Sequence, residues 1–281
     1  MNLIEILKII LLGLIEGVTE WLPISSTGHM LLFDAVWALS FEKQFKDVFL
    51  YCIQFGAVLA VLVLFWKQLC PIKMTKSELR SQQKWTVDKG ILQLWSKVLV
   101  ACIPSCIGIF VDIPENPLVI ALALIGYGVA FIVVENQNKH RTFKVQSTND
   151  ITYKQAFCIG LFQVLAIIPG TSRSGATILG ALLLGIARPA GAEFTFFMAI
   201  PTMAGASFIK ILLYLVDVGM FNGAQIGYLL IGAAVAFAVS MLAIRFLMNF
   251  VKKHDFTCFG WYRIALGALV IFSIVLPSFL R

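Results

Sequence analysis

The sequence predicts an all-α polytopic membrane protein with an inverted-topology repeat: six full transmembrane helices and two re-entrant helix–loop–helix hairpins. Three observations carry that expectation. Of the 281 residues, 59% are hydrophobic and only 13% are charged, whereas a soluble domain carries about 25% charged residues. Long apolar stretches recur with short polar connections between them. Basic residues collect in alternate connections. The composition excludes disorder, which needs low hydrophobicity and high charge. The net charge of +7 sits mostly in the connections, where it sets topology and meets anionic head groups rather than nucleic acid.

The elements follow in order. Region 3–40 is apolar but broken by Pro23-Ile24-Ser25-Ser26-Thr27-Gly28. Full spans are expected over 47–66, 91–110 and 117–134, each near the roughly 20 residues that cross a bilayer. Region 154–187 is broken in its turn by Pro169-Gly170-Thr171-Ser172-Arg173-Ser174-Gly175, and spans over 193–215, 225–248 and 257–279 complete the chain. Pro and Gly stop helices. Non-helical backbone at membrane depth survives only inside protein or beside a water-filled cavity. Both broken regions therefore read as hairpins, with two full spans each as the competing reading.

The two halves resemble one another. Gly13-Leu14-Ile15-Glu16 matches Gly160-Leu161-Phe162-Gln163 at an offset of 147, while Pro23 and Ser26 match Pro169 and Ser172 at 146, a slip of one residue. The expected organisation is a single integral membrane domain over 1–281. Repeat 1 covers about 1–135, a cytoplasmic linker 136–153, and repeat 2 about 154–281. Connections 67–90 (with Lys67, Lys73, Lys76, Arg80, Lys84 and Lys89), 135–154 and 249–256 are basic and read as cytoplasmic. Connections 111–116 and 216–224 hold Asp112, Glu115 and Asp217 without Lys or Arg and read as external, which puts both termini outside. Cys52, Cys70, Cys102, Cys106, Cys158 and Cys258 form no CxxC pair and read as buried free thiols.

Glu16 and Glu20 lie four apart on one helical face. A carboxylate pair inside an apolar segment wants a divalent cation or an arginine, or shares a proton; head-group snorkelling is the plainer alternative. The next residues, Ser25, Ser26, Thr27 and His29, place hydroxyls beside an imidazole, a pairing that suits nucleophilic and general acid/base work as well as helix capping. Arg173 stands in an otherwise uncharged stretch from Gln155 to Ala187. It binds phosphate bidentately or simply pairs with Glu16 or Glu20. Around it, Gly170, Ser172, Ser174, Gly175 and Thr177 offer backbone and hydroxyl donors to an anion at a helix N-terminus. Gln54 opens toward the same cavity. Glu135, Arg245 and Arg263 sit at segment ends and read as snorkelling, Arg188 and Glu193 as a structural pair, and Trp66, Trp95, Trp261 and Tyr262 as interfacial belts. No P-loop is present. Together these residues suit phosphoryl transfer on a lipid-linked phosphate. A membrane transporter of an anionic or lipid-linked phosphate substrate fits the architecture equally well.

The segment from Glu16 to His29 resembles the first signature of the undecaprenyl-diphosphatase family, also called the bacitracin-resistance family. Pro169 through Thr177 resembles the second, and Gly185 through Phe194 is also similar; Trp21 and Ala187 depart from the family's usual Phe and Ser. The resemblance implies an enzyme of the bacterial inner membrane, multi-pass, with its active site facing the periplasm. It hydrolyses undecaprenyl diphosphate to undecaprenyl phosphate and inorganic phosphate. That activity recycles the carrier lipid for peptidoglycan and confers resistance to bacitracin, which acts on the substrate rather than on the protein. It further implies a divalent cation, Mg²⁺ or Ca²⁺, at Glu16 and Glu20. Ser26 would be the nucleophile assisted by His29, with His29 itself or water as rival nucleophiles. Arg173 would be the phosphate clamp, and Ser25, Thr27, Gly170, Ser172, Ser174, Thr177 and Gln54 would surround the substrate. The expected partners are the polyprenyl diphosphate and membrane lipids, with no nucleic acid; a homodimer stays open.

Overall fold

The computed structural model describes residues 2–76, 83–109, 111 and 113–279. Arg80 and Asp112, used above for topology, lie outside the described residues, as do the side chains of Lys76 and Lys84. The first broken region is a helix pair, α1 (Leu3–Thr19) and α2 (Ser26–Trp37). After α3 (Lys43–Leu64) and the short α4 (Trp66–Leu69) comes an antiparallel β-hairpin, β1 (Ile72–Lys76) and β2 (Gln83–Val87), which pairs Ile72 with Val87. Then follow α5 (Lys89–Cys102) and α6 (Pro117–Asn138). The second broken region is α7 (Tyr153–Val164) and α8 (Arg173–Leu183), followed by α9 (Arg188–Asp217), α10 (Gly223–Phe250), α11 (Thr257–Val270) and α12 (Leu276–Phe279). Among the described residues, six helices are long and apolar enough to cross a membrane: Lys43–Leu64, Lys89–Gly108, Pro117–Asn138, Arg188–Asp217, Gly223–Phe250 and Thr257–Val275. These match the six expected spans. Four of them start two to five residues before the expected windows, because polar caps start helices outside the apolar stretch, whereas the ends at Leu64, Gly108 and Val275 fall two to four residues short. Asp88 accepts from the N–H groups of Gly90 and Ile91, and Asn222 and Gln225 form a reciprocal capping box, as do Thr152 and Gln155.

The packing partners repeat. As α1 lies on α10, so α7 lies on α5; as α2 touches α11, so α8 touches α6; and α3 meets α9 while α6 meets α11. The α6–α11 crossing is set by two glycines. A Cβ on Gly128 would lie 2.7 Å from the Gly260 carbonyl oxygen, and one on Gly260 would lie 2.7 Å from that of Gly128. Small residues let backbones approach where lipid offers no hydrophobic drive to associate.

Several details differ from the sequence reading. The 67–90 connection holds a hairpin, because Ile72, Met74, Trp85 and Val87 alternate with polar residues. Glu135 is fully buried and pairs with Arg188, so it does not snorkel, and Arg188 is not the partner of Glu193. Glu135 also accepts the Phe256 N–H at 3.0 Å, tying α6 to the start of α11. The cysteines are free, but Cys106 and Cys258 are exposed and only Cys52 is buried.

A branched side chain at the α6–α11 crossing must separate the helices. Gly260→Val should lower stability by about 1–3 kcal/mol, seen as a lower thermal midpoint of the detergent-solubilised protein. Gly126→Val, on the facing helix α6 but with open space around it, should leave the midpoint unchanged. Equal effects of the two would refute the crossing as the constraint.

Candidate active site

Both broken regions turn in the same way. Ser25 has φ 73° and Ser172 φ 68°, the only non-glycine residues in the left-handed region among those described. Each is the N-cap of the helix that follows. Ser25 Oγ accepts the Gly28 N–H at 3.5 Å, and Ser172 Oγ accepts the Gly175 N–H at 3.2 Å. The turns therefore match Ser25 to Ser172 and Gly28 to Gly175 at a constant offset of 147. The one-residue slip, which paired Ser26 with Ser172, is thereby corrected. It arose from aligning the prolines, which precede the turn where the two paths differ: a 3₁₀ turn at 165–167 has no counterpart in the first region. Gly170, at φ 89°, lets the second turn pass close to α6, where a Cβ would sit 2.6 Å from the Ile120 carbonyl oxygen.

The turns bring the charged residues together. Arg173 Nη2 donates to Glu20 Oε1 at 2.6 Å, and its Nη1 donates to the Thr202 hydroxyl at 3.0 Å. Pro201 interrupts the α9 ladder beside this contact, and the Met203 sulfur accepts a further guanidinium N–H. The other oxygen of Glu20 accepts the Ser26 hydroxyl at 3.1 Å. Ser172 and Ser174 share a hydrogen bond of 3.2 Å. Thr177 is turned away. Its hydroxyl donates to the Arg173 carbonyl at 2.9 Å and accepts from Thr195 at 3.0 Å, so it steadies the first turn of α8 instead of facing a ligand.

His29 does not meet Ser26. Its Nδ1 lies 2.7 Å from the Ser25 carbonyl oxygen, which only accepts, so Nδ1 carries the proton. Nε2 lies 2.7 Å from the Tyr262 hydroxyl, and the rings stack at 5.7 Å. In its neutral form the ring accepts from Tyr262 and donates to the turn. The residue after Tyr262 is equally placed. Arg263 is fully buried, and none of its three guanidinium nitrogens pairs with a carboxylate among the described residues. Nη1 donates to the Pro23 carbonyl at 3.2 Å, and Nη2 to those of Gly170 at 3.0 Å and Thr171 at 2.8 Å. One side chain therefore fastens both turns, and it is not a snorkelling residue. Its signal was available: a charge seven residues into an apolar span calls for a partner, as Arg173 did.

A cleft of about 160 Å³ opens between α2 and α3 and is lined by Glu16, Ser26, Thr27 and Gln54 at one end and by Asp34, Lys46 and Glu115 at the other. Glu16 is 1% exposed, and its Oε1 has no hydrogen-bond partner among the described residues. Among those residues no three His, Cys, Asp or Glu side chains cluster as a metal cage. Magnesium is nonetheless commonly held by one or two carboxylates plus substrate phosphates, and the oxygen donors around Glu16 suit such a hard cation. Glu20 is a poorer ligand, since both of its oxygens are engaged.

The fold and this cluster define a class: a multi-pass membrane protein whose two broken segments assemble an arginine, carboxylates and hydroxyls suited to phosphoryl chemistry. The chain matches the family described as "Bacitracin resistance protein BacA" over residues 9–269, and it belongs to that family. It is 53% identical over 277 residues to an undecaprenyl-diphosphatase of Enterococcus faecalis, covering 96% of this chain and 98% of that one. It is 50% identical over 275 residues to one from Lachnoclostridium phytofermentans, covering 96% and 97%. An undecaprenyl-diphosphatase of Latilactobacillus sakei is 50% identical over 277 residues, covering 95% and 97%.

Arg263→Met keeps the bulk but strands three buried carbonyls, at a cost of about 2–4 kcal/mol. Hydrogen exchange at 24–28 and 171–175 should accelerate in this variant, more than at the α3–α10 contact. Uniform acceleration across the chain would show that Arg263 merely supports the bundle.

Proposed function

We propose that this chain is a membrane-embedded undecaprenyl-diphosphatase, which removes the terminal phosphate of undecaprenyl diphosphate and returns the monophosphate carrier lipid to envelope synthesis. Family membership and full-length relatives of that name support the activity. Bacitracin resistance follows from the family's description. The single observation that carries the chemistry is the Arg173–Glu20–Ser26 chain of hydrogen bonds, which joins the two turns. A transporter needs an anion site but not a hydroxyl aimed at a carboxylate.

In this reading Arg173 holds the phosphates, with the free N–H groups at the starts of α2 and α8 converging on the same anion. Glu20 takes the Ser26 proton. Ser26 Oγ bonds to the distal phosphorus as the anhydride P–O bond breaks, releasing undecaprenyl phosphate. Water then displaces Ser26 and releases inorganic phosphate. Glu20 replaces His29 as the base, because Ser26 donates to Glu20 and both nitrogens of His29 are engaged elsewhere. His29 and Tyr262 position the first turn. Glu16 would hold the divalent cation, Mg²⁺ or Ca²⁺, which when bound neutralises phosphate charge.

The same reading places the site among inverted repeats. Supporting it, α2, α7 and α8 have 12, 12 and 11 residues, about 18 Å of helix at 1.5 Å per residue, too short for a core of about 30 Å. The exchanged packing pairs and the matched serine turns support it further. We take the chain as one membrane domain with repeats over about 1–135 and 154–281. Its site opens to the outer face of the plasma membrane, in line with the basic connections on the opposite side.

Arg173→Ala should lose roughly two or more orders of magnitude in phosphate release from undecaprenyl diphosphate, and Glu20→Gln should do likewise. Under rapid quench the wild type should carry labelled phosphate on Ser26, and Ser26→Ala none. Near-normal turnover in Arg173→Ala would overturn the site; label on His29, or none at all, would overturn the nucleophile.

A further inference from the structure

The cleft that leads to Ser26 is electrostatically wrong for its substrate. It is lined by three carboxylates, Glu16, Asp34 and Glu115, against one cation, Lys46. Apart from Glu16, the proposed cation ligand, a diphosphate entering it passes two further carboxylates and a single ammonium. Arg173, the other cation of the site, lies beyond Glu20 and is already engaged by it. Lys46, Leu50 and Gln54 are spaced i, i+4 and i+8 and line one face of α3. They form a track of about 12 Å from the first turn of α3 inward to the level of Ser26. Lys46 is the only basic group on that track, and Asp34 holds it at 2.5 Å across the cleft, pinning α2 to α3. The two side chains keep 29% and 43% exposure, so this contact is weak and readily exchanged.

We propose that Lys46 is the landing site for the polyprenyl diphosphate and that Asp34 is its internal competitor. In the empty cleft Asp34 occupies the ammonium as a stand-in anion. An arriving diphosphate, with more charge and more acceptor oxygens, takes Lys46 over, which unpins α2 from α3 and opens the track toward Ser26. The inference rests on reading this cleft as the entrance to the active site.

The sign of each substitution follows. Asp34→Asn removes the competitor and should lower KM about three- to fivefold, the range that releasing an exposed ion pair allows. Lys46→Met removes the landing charge and should raise KM about tenfold, the size of one charge-assisted hydrogen bond to phosphate. Lys46→Arg should stay near wild type. In the Lys46→Met background, Asp34→Asn should no longer lower KM, since Asp34 acts through Lys46. Lys43→Met makes the same charge change on the same helix, but outside the cleft lining and at an exposed position, so it should leave KM unchanged.

The measurement is phosphate release by the purified full-length protein in detergent, with a short-chain polyprenyl diphosphate titrated through KM and the thermal midpoint of each variant recorded. Lower KM in Asp34→Asn, higher KM in Lys46→Met and no response in Lys43→Met would establish the landing site. The inference is overturned if Asp34→Asn leaves KM unchanged or raises it. It is equally overturned if Lys43→Met and Lys46→Met shift KM alike, which would be a surface-charge effect. An Arg173→Ala control run alongside separates the two levels: full activity there would discard the site itself, whereas its loss with unmoved Lys46 variants would discard only the landing site.

Discussion

Everything about this molecule follows from having to keep two stretches of irregular backbone inside an apolar bundle. A carbonyl without a partner in such surroundings costs several kcal/mol, and each broken region leaves several. Arg263 answers for three of them at once, one from the first turn and two from the second. Because it reaches both turns, it also fixes their spacing, and that spacing puts Ser26 and Arg173 on opposite sides of Glu20. A guanidinium suits the task better than an ammonium: its donors are splayed in one rigid plane, so several acceptors are held in one geometry.

The charges in this layer are deliberately unbalanced. Arg173 is matched by Glu20, and Arg188 by Glu135. Arg263 has no carboxylate, and Glu16 has an oxygen with no donor among the described residues. One guanidinium without a carboxylate thus lies under the turns, and one carboxyl oxygen without a donor lies beside them.

Much of this was legible in the residues. Six spans declared themselves through length and apolarity, and the two interruptions through Pro and Gly. Glu20 and Arg173 stood out because charge inside an apolar run demands a partner, and they found each other. The failures are of two kinds. Arg263, Tyr262 and Glu135 lay near the ends of apolar windows, where solvent access is the default; only the packing of α11 against α2 and α6 shows them buried or engaged. The role of His29 could not be read from proximity: Ser26 and His29 are neighbours at i, i+3 on α2, yet Ser26 turns to Glu20 and His29 to Tyr262. The hairpin at 72–87 was passed over because a basic connection of that length reads as loop.

The matched serines have one more consequence. Ser25 and Ser172 hold left-handed backbone, which glycine adopts without steric cost and other residues do not. Two independent positions keep a hydroxyl where the chain would be more relaxed without one. The protein thus carries strain in its resting state at the two points nearest the chemistry. Glycine at either position would relieve the backbone but remove a hydroxyl that caps the following helix. In this scaffold, thermal hardiness and catalytic readiness compete at identifiable residues, and attempts to harden the protein would do best to leave those two turns alone.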